Sequence, residues 1–123
     1  MSIVCVSGYF DSIHRGYIEY FKDAKILGDK LIVILNTDHQ RKRLGMHQND
    51  RKLIVESIKY VDEVIFAIDS DNSVAETLRT IKPTIFAKGS EEISENELSV
   101  CEELNITIIK NVGKDLHLYD LMR

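Results

Sequence analysis

The stretch Ile3-Val4-Cys5-Val6-Ser7-Gly8-Tyr9-Phe10-Asp11-Ser12-Ile13-His14-Arg15-Gly16-Tyr17 runs from a β-branched apolar segment, through a loop that opens on glycine, straight into a helical pattern. Ile3 to Val6 is apolar on both alternating faces, which is how a strand buried on both sides of a parallel sheet reads. From Gly16 to Leu27 the apolar residues Tyr17, Tyr20, Phe21, Ala24 and Leu27 recur with helical spacing, and Gly28 is expected to close that helix as a left-handed cap.

The same alternation continues along the chain. Leu31 to Leu35, Val64 to Ile68, Thr84 to Ala87 and Ile106 to Ile109 read as further buried strands. Helices are expected over about Asn49 to Tyr60, Asn72 to Ile81 and Ser94 to Leu104, with Pro83 separating the third helix from the fourth strand. Strand and helix in turn, with no repeat, linker or low-complexity tract, imply one domain over residues 1–123. Its architecture is α/β, a doubly wound five-stranded parallel sheet with helices on both faces. Such sheets bind ligands outside the carboxyl ends of their strands, where the winding reverses.

Bulk properties exclude several classes. A length of 123 residues with 44% hydrophobic side chains supports one core and not two. No apolar run approaches the roughly 18 residues of a membrane span, and the start of the chain lacks a leader pattern, so a cytoplasmic protein without membrane contact is expected. A net charge of −4 argues against a broad nucleic-acid surface. Cys5 and Cys101 lie far apart without Cys-x-x-Cys spacing, which points to reduced, buried thiols. The dense basic stretch of Arg41, Lys42, Arg43, Arg51 and Lys52 leaves room for a small anionic ligand.

A phosphate site is legible in the opening stretch. Gly8 at the strand end permits close backbone approach, and the free N–H groups of a helix start favour phosphate. His14 and Tyr17 stand three apart, so with a helix beginning near Ile13 both face one side of its first turn, and Gly16 leaves space between them. Neither Gly-x-Gly-x-x-Gly nor Gly-x-x-x-x-Gly-Lys-Ser/Thr is present, so binding rests on histidine and backbone.

Gly8-Tyr9-Phe10-Asp11, His14-Arg15-Gly16, Ala24-Lys25-Ile26-Leu27-Gly28-Asp29-Lys30-Leu31-Ile32-Val33 and Asn36-Thr37-Asp38 are similar to motifs of the cytidylyltransferase-like nucleotidyltransferases. Arg51-Lys52-Leu53-Ile54, Tyr60-Val61-Asp62-Glu63-Val64, Lys82-Pro83 and Ala87-Lys88-Gly89 continue the likeness over nearly the whole chain. This Rossmann-like group includes glycerol-3-phosphate cytidylyltransferase and heptose-1-phosphate adenylyltransferase. The resemblance implies transfer of CMP or AMP from CTP or ATP to the phosphate of a small polyol or sugar, with release of pyrophosphate.

The resemblance also implies roles. His14 and Gly16 match a His-x-Gly-His motif that holds the triphosphate. Arg41, Lys42 or Arg43 stands where a basic residue after the second strand contacts phosphate, with Lys42 taken as the catalytic one. Arg51 matches an arginine that faces the substrate, and Lys88-Gly89 the segment near the base. Gly8, Tyr9, Phe10, Asp11 and Asp38 complete the expected binding set. Mg²⁺ is expected to arrive with the triphosphate and no protein metal ligands are expected. Relatives are commonly dimers, and Tyr60, Phe66 and Tyr119 are candidates for a homodimer interface.

Two positions depart from the family pattern. Tyr17 replaces the second histidine, and a phenol cannot become cationic near neutral pH. Val112-Gly113-Lys114-Asp115-Leu116-His117-Leu118-Tyr119 stands where the family carries a Ser/Thr-rich motif, with Lys114 and His117 as possible substitutes. An altered enzyme and a degenerate relative that only binds a nucleotide or sugar phosphate both follow from these departures. A phosphoacceptor receiver domain would place paired carboxylates after the first strand, where Gly8-Tyr9-Phe10 stands instead.

Overall fold

A computed structural model describes residues 1–41 and 45–113; Lys42, Arg43, Leu44 and residues 114–123 lie outside the described residues. Five strands, β1 (Ile3–Gly8), β2 (Lys30–Leu35), β3 (Glu63–Phe66), β4 (Ile85–Ala87) and β5 (Thr107–Ile109), alternate with α1 (Arg15–Ile26), α2 (Gln48–Glu56), α3 (Ala75–Ile81) and α4 (Glu95–Glu103). The strand order is β3-β2-β1-β4-β5, with every pairing parallel. Ile3 pairs with Lys30 and Gly8 with Leu35 on one side of β1, while Val4 and Cys5 face Ile85 and Phe86 on the other. Winding therefore reverses between β1 and β4, and the crevice beyond their carboxyl ends is the place such a sheet offers a ligand.

The period of two along the strands divides the core into two layers. Val4, Val6, Leu31, Val33 and Leu35 pack under Tyr20, Phe21 and Ala24 of α1 and Val55 of α2. Cys5, Ile32, Ile34 and Phe86 meet Ala75 and Leu78 of α3 and Val100 and Cys101 of α4. Both cysteines are buried and unpaired; burial, then nearby carboxylates, pushes the Cys5 thiol up to about 12 and the Cys101 thiol up to about 11, so neither serves as a nucleophile near neutral pH.

Element ends differ from the sequence reading for local reasons. The third helix starts at Ala75 rather than Asn72, because side chains compete with helical bonding: Asp71 accepts the Ser73 N–H at 2.9 Å and Asp69 accepts the Glu76 N–H at 2.7 Å. The second helix stops at Glu56, short of Tyr60, with the Ser57 hydroxyl donating back to the Ile54 carbonyl at 2.6 Å. Gly28 is not the left-handed cap. Leu27 ends α1 in right-handed geometry, and Gly28 packs so near β1 that a β-carbon there would lie 2.7 Å from Val4 Cγ2.

Candidate active site

The crevice between the ends of β1 and β4 holds a cleft of about 470 Å³, walled by Gly8 to Phe10, by Gly16, Tyr17 and Tyr20 of α1, and by Lys88, Gly89 and Ser90. Val112 and Gly113 close it from beyond β5. The chain turns from β1 into α1 along its edge. His14 is the N-cap of α1, and its Nδ1 accepts the Gly16 N–H at 3.0 Å. An accepting Nδ1 puts the ring proton on Nε2, which makes Nε2 the donor of the ring. The cap thus fixes the histidine tautomer and takes up the first-turn N–H groups itself, the Tyr17 and Ile18 N–H groups donating to the His14 carbonyl at 3.0 and 3.3 Å.

The helix begins at Arg15 rather than near Ile13, so His14 stands outside the first turn with extended backbone, yet its ring stacks on that of Tyr17 with centroids 4.4 Å apart. Tyr17 also meets Phe10 in a T-shaped pair, centroids 5.2 Å apart, and Phe10 meets Phe21 at 5.0 Å. Phe10 is buried, its ring folded over Gly8, where a β-carbon would come within 2.9 Å of Cζ. The expected binding residue Phe10 is therefore floor, its side chain committed to the core.

Arg51 requires a correction. The family resemblance implies that it faces the substrate, but its side chain is completely buried. Nε donates to the Met46 carbonyl at 3.0 Å, Nη1 to the carbonyls of Tyr9 at 2.7 Å and Asn36 at 2.9 Å, and Nη2 to Asp38 Oδ1 at 2.7 Å. It ties the ends of β1 and β2 to the start of α2. Asp38 shares this bracing work and accepts the Gln48 N–H at 2.9 Å. Burial pushes its carboxyl up, but the Gln48 amide and the Arg51 guanidinium together outweigh that and hold it below the ordinary carboxylate value.

Of the basic stretch, Arg41 lies within the described residues and Lys42 and Arg43 outside them, as do Lys114, His117 and Tyr119. Both terminal nitrogens of Arg41 bond to Asp11 Oδ2, at 3.0 and 2.8 Å, and that oxygen also accepts the Met46 N–H at 2.8 Å. Asp11 so holds the two flanks of the basic loop. Tyr9 lies beneath, its ring centroid 5.4 Å from the Arg41 guanidinium and 5.8 Å from that of Arg51. Burial pushes the Tyr9 phenol up, against the lowering pull of both arginines, and it stays a neutral donor.

Lys88 is the cation among the described residues lining the cleft. Its ammonium sits 3.9 Å from Glu97 on α4, and its backbone N–H donates to the Ile109 carbonyl at 2.8 Å, fixing the β4 end against β5. Gly89 lies in ordinary contact with the Tyr20 ring. Three contributors escaped the sequence reading. Tyr20 counted only as an apolar helix position, yet it lines the cleft and its hydroxyl donates to the Ala87 carbonyl at 2.6 Å. Gln40 is buried and donates to the carbonyls of Asp71 at 2.6 Å and Ser73 at 3.0 Å. Glu97, which no sequence motif singles out, is buried. Tyr60 and Phe66, expected at an interface, are partly buried against the core.

Among the described residues no group of three or more His, Cys, Asp or Glu side chains is placed to hold a metal ion, and no helix is long and apolar enough to cross a membrane. The model of the family described as cytidylyltransferase-like matches residues 5–112. The chain is 32% identical over 123 residues to the FAD synthase of Pyrococcus horikoshii, covering 96% of this chain and 78% of that protein. It is 34% identical over 98 residues to the bifunctional protein HldE of Helicobacter pylori, covering 75% of this chain but 21% of that one. The crystal structure of a lipopolysaccharide core biosynthesis protein from Thermoplasma volcanium superposes with a TM-score of 0.75 at 30% identity, over 89% of this chain and 95% of that one. Fold, cleft and sequence thus agree, and this chain belongs to the cytidylyltransferase-like nucleotidyltransferase family.

Proposed function

We propose that the protein transfers CMP or AMP from CTP or ATP to the phosphate of a small phosphorylated polyol or sugar. An acceptor phosphate oxygen attacks the α-phosphorus, the bond to the β-phosphate breaks, and pyrophosphate leaves. The observation that carries this reading is the cleft at the switch point of the sheet, where a histidine of fixed tautomer caps the helix whose Gly16 and Tyr17 line that cleft opposite Lys88. Phosphoryl-type transfer asks the protein for positioning and for donors near the developing charge, and no side-chain nucleophile is needed. Mg²⁺ enters as part of the magnesium nucleotide, its coordination supplied largely by phosphate and water.

Relatives named for making FAD support ATP as the first donor to test, since FAD joins an AMP unit to a phosphate through a diphosphate link. Flavin mononucleotide, itself a phosphorylated polyol chain, belongs on the acceptor panel with glycerol and sugar phosphates. The test is pyrophosphate release with ATP and CTP against that panel. Turnover with one donor–acceptor pair is expected. A donor that raises the melting midpoint without any release would instead mark a binding domain.

The basic loop gives a second test. Replacing Arg41, Lys42 and Arg43 together by alanine is expected to weaken triphosphate binding by at least ~10-fold while leaving the free nucleoside almost unaffected, because only the phosphates carry charge to neutralise. Calorimetric titration with both ligands checks it. Equal losses would show that the loop does not address the phosphates.

A further inference from the structure

Behind the Lys88–Ser90 wall of the cleft lies a second cavity of about 770 Å³, bounded by Asn72 and Ser73 before α3 and by Ile93, Ser94 and Glu97 at the start of α4. Lys88 and Ser90 line both spaces. Glu97 is the unusual group there, with its side chain only 7% exposed. One carboxylate oxygen accepts the Val74 N–H at 2.8 Å. The other is 3.9 Å from Lys88 Nζ, beyond hydrogen-bond reach, and has no donor among the described residues.

That arrangement exceeds what holding the Val74 N–H requires. A glutamine would accept the same bond without a buried charge, and a buried carboxylate oxygen lacking a donor is costly. The neighbouring polar groups are already engaged elsewhere: Asn96 donates to Ser73 Oγ at 2.9 Å, Ser73 Oγ donates to Asp71 at 2.7 Å, and Glu91 accepts from the Asn111 side chain. The open oxygen of Glu97 calls for a donor from a ligand. The charges facing the cavity, Glu91, Glu92 and Glu97 against Lys88, disfavour a bare anion but suit a hydroxylated body whose anionic end reaches Lys88.

We propose that this second cavity binds the polyol or sugar part of a phosphorylated ligand, with a ligand hydroxyl donating to Glu97 and the ligand phosphate meeting Lys88 at the wall shared with the cleft. As the place of the acceptor it rests on the nucleotidyl-transfer reading, but the binding itself does not. Two negatively charged substrates would then converge on one ammonium. Glu97 would select for hydroxyls.

The test is calorimetric titration of the full chain with glycerol 3-phosphate, ribose 5-phosphate, glucose 1-phosphate and inorganic phosphate, repeated on Glu97→Gln and Lys88→Met. At least one ester is expected to bind more tightly than inorganic phosphate. Glu97→Gln should weaken that ester about tenfold by removing a charge-assisted bond, while inorganic phosphate binds as well or better beside one fewer negative charge. Lys88→Met should weaken ester and inorganic phosphate alike, and because it leaves Glu97 and its Val74 bond in place it serves if Glu97→Gln fails to fold. The proposal is overturned if no ester exceeds inorganic phosphate, if Glu97→Gln weakens both equally, or if Lys88→Met weakens neither. Pyrophosphate release from ATP or CTP, measured in parallel, fails independently if the transfer reading is the one at fault.

Discussion

Tyr17→His should raise the turnover of nucleotidyl transfer by ~10- to 100-fold, with ground-state binding of the triphosphate changed far less. The structure gives the physical reason. The Tyr17 ring is stacked on His14 and held edge-on by Phe10, so position 17 already fixes a ring at the cleft wall. An imidazole there keeps both ring contacts and adds a donor that can carry charge where pyrophosphate charge develops, whereas the phenol donates one neutral hydrogen bond. A gain confined to the transition state appears in kcat and not in KM.

His14→Ala is the complementary change and should cost ~100- to 1000-fold in turnover, the range expected on losing a donor aimed at transition-state charge. It also removes the cap on the Gly16 N–H, worth about 1 kcal/mol of stability. Asparagine at position 14 can restore the cap without the imidazole, so His14→Asn separates the two losses: its melting midpoint should recover while its rate does not. Steady-state pyrophosphate release from the parent and the three variants reads all of this. A Tyr17→His protein slower than a measurable parent would mean that the phenol has a role of its own and would refute the prediction.

How far the sequence carried is clear from particular residues. Strand patterning read both core layers because alternation in Val4-Cys5-Val6 and Leu31 to Leu35 is a property of the chain itself. Helical spacing predicts the His14–Tyr17 pairing for a helix beginning near Ile13, but the helix begins at Arg15 and His14 reaches Tyr17 from an extended cap position outside it. What stayed hidden depends on long-range partners. Nothing local in Arg51 tells that three carbonyls from Tyr9, Asn36 and Met46 converge on it, nor that Glu97 will be buried beside a lysine nine residues earlier in the chain. Family likeness gave the location of Arg51 near the site but not its direction. Burial of a charged side chain is decided by the fold, and a surface-like residue type conceals it.

Arg51→Met should destabilise the fold by about 3–5 kcal/mol, the cost of breaking a buried charged network by removing one partner. Three carbonyls lose their donor and Asp38 loses its guanidinium, although Asp38 keeps the Gln48 N–H and is 31% exposed, so water can serve part of its need. For a chain of 123 residues a loss of that size lowers the melting midpoint by roughly 10 °C or more. Arg51→Lys should recover less than half of it, because one ammonium on a flexible stem cannot span sites that the planar fork reaches from Nε, Nη1 and Nη2. Asp38 adds a pH signature. Its folded carboxyl lies below the ordinary value, so its contribution is present above the unfolded carboxylate range near ~3.9 and is lost as pH falls through the lower folded value; Asp38→Asn should remove that acid-side component. Thermal melts from neutral to acid pH measure each term. The competing view, that Arg51 addresses the ligand directly, predicts an Arg51→Lys protein that melts like the parent yet binds triphosphate weakly, and that result would overturn its assignment as a brace.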